Sequence, residues 1–124
     1  MGMLEERYKT ELVADLCRYF RVPSRSSAVG GEEGALQAVI AGQMREAGAR
    51  VRTLEAEDIP GFYEHPLCHG RGRQYHNRPT VLGEIGPEEA PALLILAHSD
   101  TVQLFEPDRW TFDPYCGEEN QGTV

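Results

Sequence analysis

The chain has 124 residues, 40% hydrophobic and 26% charged, a balance that suits one small globular domain and excludes a disordered segment. Twelve basic against twenty acidic residues leave a net charge of −8, which argues against general binding to nucleic acid or to an anionic membrane. Three widely spaced cysteines (Cys17, Cys68 and Cys116) with no Cys-x-x-Cys fit reduced thiols better than a disulfide framework.

Met1 to Arg7 carries no apolar core of a secretory signal, and Glu6 stands where N-myristoylation wants Ser or Thr. No apolar stretch approaches membrane-spanning length. The expectation is a soluble, cytoplasmic protein.

Leu4, Tyr8, Leu12, Val13, Leu16, Cys17 and Phe20 recur at helical spacing and predict a first helix over about 4–20, ended by Pro23. Tyr8, Tyr19 and Phe20 read as packing residues. Ser24 to Gly31 is a loop. A second helix follows from about Glu32 to Ala47, with Glu32 and Glu33 in its first turn, Leu36, Val39, Ile40 and Met44 as its buried stripe, and Gly48 just past its end. Arg50 to Leu54 is a strand candidate.

Glu55 to Arg78 is long for a connection without structure of its own. His65, His69 and His76, with Arg71, Arg73 and Arg78, leave three readings: a solvated loop, a second metal site, or an anion-binding loop. Pro66 and nearby glycines argue against placing His65 and His69 on one helix. The solvated loop is favoured, with an arginine that helps hold a substrate carboxylate as a further possibility. Gly70-Arg71-Gly72 opens like a dinucleotide fingerprint, but Tyr75 takes the place of its third glycine and no apolar strand precedes it.

Thr80 to Ile85 predicts another strand, turned by Gly86-Pro87 and Glu88-Glu89-Ala90-Pro91 into the run Leu93 to Val102. So short a connection predicts an antiparallel pair. Glu88 and Glu89 read as solvated turn residues. The apolar run ends on His98, with Asp100 two residues later. On an extended chain these two side chains share a face and Ser99 points away. That placement suits a metal-bound imidazole oriented by a carboxylate; either residue also suits the cap of a following turn. It excludes His98-Ser99-Asp100 as a hydrolytic triad, because three consecutive extended residues cannot converge. Trp110, Phe112 and Tyr115 are expected to pack the loop beneath the site, and Gly122-Thr123-Val124 to begin a strand. The order helix–helix–strand–strand–strand predicts an α/β layer structure with a mixed sheet.

Four stretches resemble one family in the order in which that family has them. The apolar strand closing on His98-Ser99-Asp100-Thr101-Val102 is similar to the His-x-Asp-x-Val motif of the zinc-dependent exopeptidases and aminoacylases grouped with acetylornithine deacetylase, succinyl-diaminopimelate desuccinylase and carboxypeptidase G. Trp110-Thr111-Phe112-Asp113-Pro114-Tyr115 resembles that family's Trp-x-x-Asp-Pro-aromatic, leaning toward the deacetylase and desuccinylase branch. Arg78-Pro79-Thr80-Val81-Leu82-Gly83 resembles its Arg-Pro-Asn-Val, with Thr80 in place of Asn. Val22-Pro23-Ser24 resembles its Ile-Pro-Ser.

The resemblance implies that residues 1–124 are the N-terminal portion of a three-layer α/β/α metallohydrolase catalytic domain, with the rest of that domain and a dimerisation domain still to follow. It implies an amide hydrolase acting on N-acyl amino acids or small peptides through two zinc ions, with cobalt or manganese as possible substitutes. His98 would be a metal ligand, and Asp100 catalytic in the supporting sense of orienting His98. The remaining ligands and the general base would lie beyond Val124, so the chain alone is expected to be inactive, and a homodimer only with the dimerisation domain. The alternative is a non-catalytic remnant or interaction module that needs a complementing polypeptide.

Overall fold

A computed structural model of the chain describes residues 3–68, 72–87 and 93–124. They form two compact units, Met1–Pro23 with Leu104–Val124, and Ser24–Gln103.

In the first unit, helix α1 spans Met3–Phe20. It ends in a turn closed by the Val22 N–H on Tyr19 O at 3.0 Å, just ahead of Pro23, where a helix stop was expected. Arg21 reaches back across the chain, donating to Cys116 O at 3.2 Å and Gly117 O at 3.0 Å. Gly117 has φ 56°, and a Cβ there would stand 2.2 Å from Cys17 O, so this contact requires glycine. The predicted buried stripe does not hold: Tyr8, Leu12 and Leu16 are exposed, and Val13, Cys17 and Phe20 only half-buried. Eighteen helical residues against a short irregular segment leave most of the stripe without a facing layer. Trp110 and Phe112 are likewise exposed rather than packed, and only Tyr115 is half-buried. The expected C-terminal strand is instead a turn, closed by reciprocal backbone hydrogen bonds between Asn120 and Thr123.

In the second unit, helix α2 runs over Gly34–Glu46. Its C-terminus is a Schellman motif: the Gly48 N–H meets Arg45 O and the Ala49 N–H meets Met44 O, both at 2.9 Å, with Gly48 at φ 85°. Its start differs from the expectation. Glu33 is the N-cap residue without a side-chain cap, and no acidic residue stands in the first turn. The carboxylates of Glu32 and Glu33 are instead taken by Arg25 and Arg78. Strands β1 (Arg50–Leu54) and β2 (Thr80–Glu84) pair antiparallel, from Arg50 opposite Glu84 to Leu54 opposite Thr80. The helix packs on both strands. Leu36 and Ala41 are buried, while Val39, Ile40 and Met44 are half-buried. Met44 lies over Gly83 so closely that a Cβ there would stand 2.7 Å from its sulfur.

Among the described residues the sheet is two-stranded and antiparallel rather than mixed, and with the two helices it makes a small α/β chain. The hairpin expected between β2 and the Leu93 run does not form: β2 pairs with β1, across the Glu55–Pro79 connection. The Leu93 run carries no strand among the described residues, and Leu93 to Leu96 are 75–92% exposed. An all-apolar strand needs cover on both faces and a ladder on its edges. The apolar side of α2 is already occupied by β1 and β2. Residues 88–92, including the Glu88-Glu89 turn, lie outside the described residues. Amide exchange measures this division directly: the alternate amides of β1 and β2 that donate across the ladder are expected to exchange slowly, and Leu93 to Ala97 at rates near those of an unfolded peptide.

Candidate functional site

Among the described residues Leu93 to Ala97 has no backbone partner, while the next four residues are held. The Thr101 N–H donates to Ser24 O at 3.0 Å, and the Ser26 N–H to Thr101 O at 2.8 Å, forming a parallel bridge between Arg25 and Thr101. Ser24, 2% exposed, donates its hydroxyl to Ser99 O at 2.8 Å. Gln37 of α2 donates Nε2 to Ser99 Oγ at 2.9 Å. Ser99 therefore faces α2, and its neighbours face the other way, as the extended-chain alternation requires.

On that outward face, His98 Nδ1 lies 3.3 Å from Asp100 Oδ1 and 3.2 Å from the Asp100 backbone carbonyl. A carbonyl oxygen only accepts. The donor that this contact calls for is the ring's Nδ1–H, and the His98 side chain is exposed. This is the arrangement of a metal-ligating imidazole with its orienting carboxylate. The residues fit one ligand and its support. Among the described residues, no group of three or more His, Cys, Asp or Glu side chains stands together to hold a metal ion.

The long connection between β1 and β2 is folded rather than merely solvated. A short 3-10 helix, Ala56–Asp58, closes with a capping box between Glu55 and Asp58. Phe62, Tyr63 and Tyr75 pack edge to face with ring centroids 5.2–5.9 Å apart. His65 accepts the Leu67 N–H on its Nδ1 at 3.2 Å, a local turn contact, and His76 is exposed. His69, Gly70 and Arg71 lie outside the described residues.

Arg78 ends this connection under the first residues of α2. Its Nε donates to Glu33 Oε2 at 2.8 Å and its Nη2 to Glu33 Oε1 at 2.5 Å, with the two side chains 11% and 6% exposed. Tyr75 lies over the same guanidinium, 5.5 Å from ring centroid to Arg78 Cζ. The Glu33 hydrogen bond, working against desolvation, holds the Arg78 guanidinium above its ordinary range, and the nearby charges of Glu33, Tyr75 and Asp100 add to the effect. Arg78 Nη2 and Arg73 Nη2 both donate to Ser26 Oγ, at 3.0 and 2.9 Å. Gly31 makes room for the pair, since a Cβ there would stand 2.3 Å from Glu33 Oε2 and 2.7 Å from Arg78 Nε.

The sequence marks His98, Asp100 and Ser24, the last only as part of a helix-ending tripeptide. It gives no sign that Ser24, Ser26 and Gln37 clamp the His98 segment, because those contacts join residues 62 to 75 positions apart. Compared with known proteins, the chain matches no family model, no curated protein and no solved structure. Among the described residues no helix is long and apolar enough to cross a membrane.

Two neighbouring glutamates test the energetics. Glu33→Gln strips a nearly buried guanidinium of its counter-charge and is expected to lower the unfolding free energy by about 3 kcal/mol in urea titrations. Glu32→Gln breaks only the exposed pair with Arg25 and should change it by less than about 0.5 kcal/mol. The Arg25 hydrogen bond holds the Glu32 carboxyl below its ordinary range. Its small contribution is therefore present above the ordinary carboxylate range and is lost as pH falls through the folded-state value.

Proposed function

We propose that this chain is the opening portion of a zinc-dependent amide hydrolase of the acetylornithine deacetylase type, acting in the cytoplasm on N-acyl amino acids or small peptides. The observation that carries the reading is the exposed His98 side chain with its Nδ1 against the Asp100 carboxylate and carbonyl, a contact that the Nδ1–H tautomer would make. It stands where the sequence resembles the family's metal-binding motif. On this reading the fold belongs to a larger three-layer α/β/α domain with a mixed sheet.

His98 would hold a metal through Nε2, and Asp100 would keep the ring in that tautomer. When bound, zinc supplies a polarised, activated water. Ser24 holds the backbone between the two residues at Ser99 O, and Gln37 holds the Ser99 hydroxyl. A catalytic zinc takes about three protein ligands, so further residues must complete the site, and the chain by itself should not turn over substrate. A second reading, an interaction module, draws on the exposed Leu93–Leu96 run, which a complementing polypeptide would cover. A partner-free chain that is monodisperse in sedimentation, with no affinity for zinc, would favour it.

Zinc titration followed on the histidine ring resonances separates these readings. The expected result is one weak site that shifts the His98 ring, disappears in His98→Ala, and weakens about tenfold or more in Asp100→Asn. Zinc binding that is unchanged in His98→Ala would overturn the proposal.

A further inference from the structure

Two of the three cysteines belong to the first unit. Cys17 lies in the last turn of α1 and Cys116 in the C-terminal segment, and both are half-buried. Arg21 joins the two segments. Its Nε donates to Cys116 O at 3.2 Å and its Nη2 to Gly117 O at 3.0 Å. Arg21 follows Cys17 by four residues, so the two stand on the same side of the helix end. Gly117 is buried against that side, where a Cβ would collide with Cys17 O and with the Arg21 side chain. A turn closed by the Cys116 N–H on Asp113 O at 2.9 Å leads into this contact. The backbone next to one thiol is thus pressed against the backbone that carries the other.

The place of this pair in the chain gives a cross-link leverage. Ser24–Gln103, the whole second unit, lies between the two cysteines in sequence. A bond between them would close a loop containing that unit and restrict the unfolded chain over its length, and the gain grows with loop size. Cys116 and Gly117 belong to no helix or strand, so a small backbone adjustment there breaks no ladder as the sulfurs reach bonding geometry. Cys68, the third thiol, belongs to the second unit.

We propose that Cys17 and Cys116 form a reversible disulfide, a redox-sensitive staple that fastens the end of α1 to the C-terminal segment. The oxidant is a small disulfide of the glutathione class. One cysteine thiolate attacks it, forming a mixed disulfide and releasing one glutathione thiolate. The second cysteine thiolate then attacks the mixed disulfide and displaces the other glutathione. Two protein thiols are oxidised, one glutathione disulfide is reduced, and the two protons end on the glutathione released. The thiols are reduced in a reducing compartment, and oxidation stabilises the chain when the poise rises. None of this depends on the amide-hydrolase reading.

The test equilibrates the whole chain in graded glutathione and glutathione disulfide, quenches it with an alkylating agent, and maps the cysteine peptides by mass. The expected product has lost two hydrogen atoms and links Cys17 to Cys116. It should persist in Cys68→Ser and vanish in Cys17→Ser and Cys116→Ser, which should take up glutathione instead. The effective concentration of the two thiols should be about tenfold or more higher in the native chain than in concentrated urea. By linkage, the oxidised chain should then unfold at a higher urea concentration, an increase that dithiothreitol reverses. Mixed disulfides alone, a link through Cys68, or equal effective concentrations with and without urea would each overturn the proposal. Should either serine variant disturb the fold, the peptide map and the urea comparison on the unsubstituted chain decide the matter.

Discussion

The contact between Arg78 and Glu33 is the constraint on which the second unit most depends. Taking both charges almost out of water is costly, and only good geometry with further hydrogen bonds offsets it. Both are present: a two-pronged carboxylate contact, Ser26 on the same nitrogen, and the Tyr75 ring over the guanidinium. The contact draws the end of a long connection against the start of α2. It also fixes Ser26, whose backbone holds Thr101 and so the segment with His98 and Asp100. The cost falls on the helix, which begins without a side-chain cap because Glu33 is otherwise engaged.

The chain divides sharply at Ala97. Before it, four large aliphatic residues stand exposed on a backbone with no partner among the described residues. After it, Ser24 and Ser26 grip the backbone at Ser99 and Thr101, and Gln37 holds the Ser99 hydroxyl. Hydrophobicity makes the first part want cover on two faces, while specific hydrogen bonds satisfy the second part locally. An ordered candidate ligand therefore stands next to apolar surface of the kind that marks association sites.

Much of the local structure was legible. Helical periodicity and Pro23 set α1, and α2 ends on Gly48 because only glycine enters φ 85° without strain. Both strands fall where β-branched and leucine residues predict them. The alternation rule placed His98 and Asp100 together and turned Ser99 away, and the contacts found agree. Pairing was not legible. The short turn after Ile85 argued for a hairpin with the Leu93 run, yet β2 takes β1 as its partner across a connection whose aromatic cluster, and the hydrogen bond from the Arg78 N–H to Glu55 Oε2, bring its ends together.

The sequence by itself determined the places of α1, β1 and β2, the helix stop at Gly48 and the shared face of His98 and Asp100, since each follows from local dihedral preference or side-chain period. Tertiary structure alone decided what those elements touch. The burial of Glu33 with Arg78, the convergence of Arg73 and Arg78 on Ser26, and the exposure of Leu93 to Leu96 depend on which segments meet. That is a property of packing between residues far apart in the chain, and it leaves no periodic signal in the sequence.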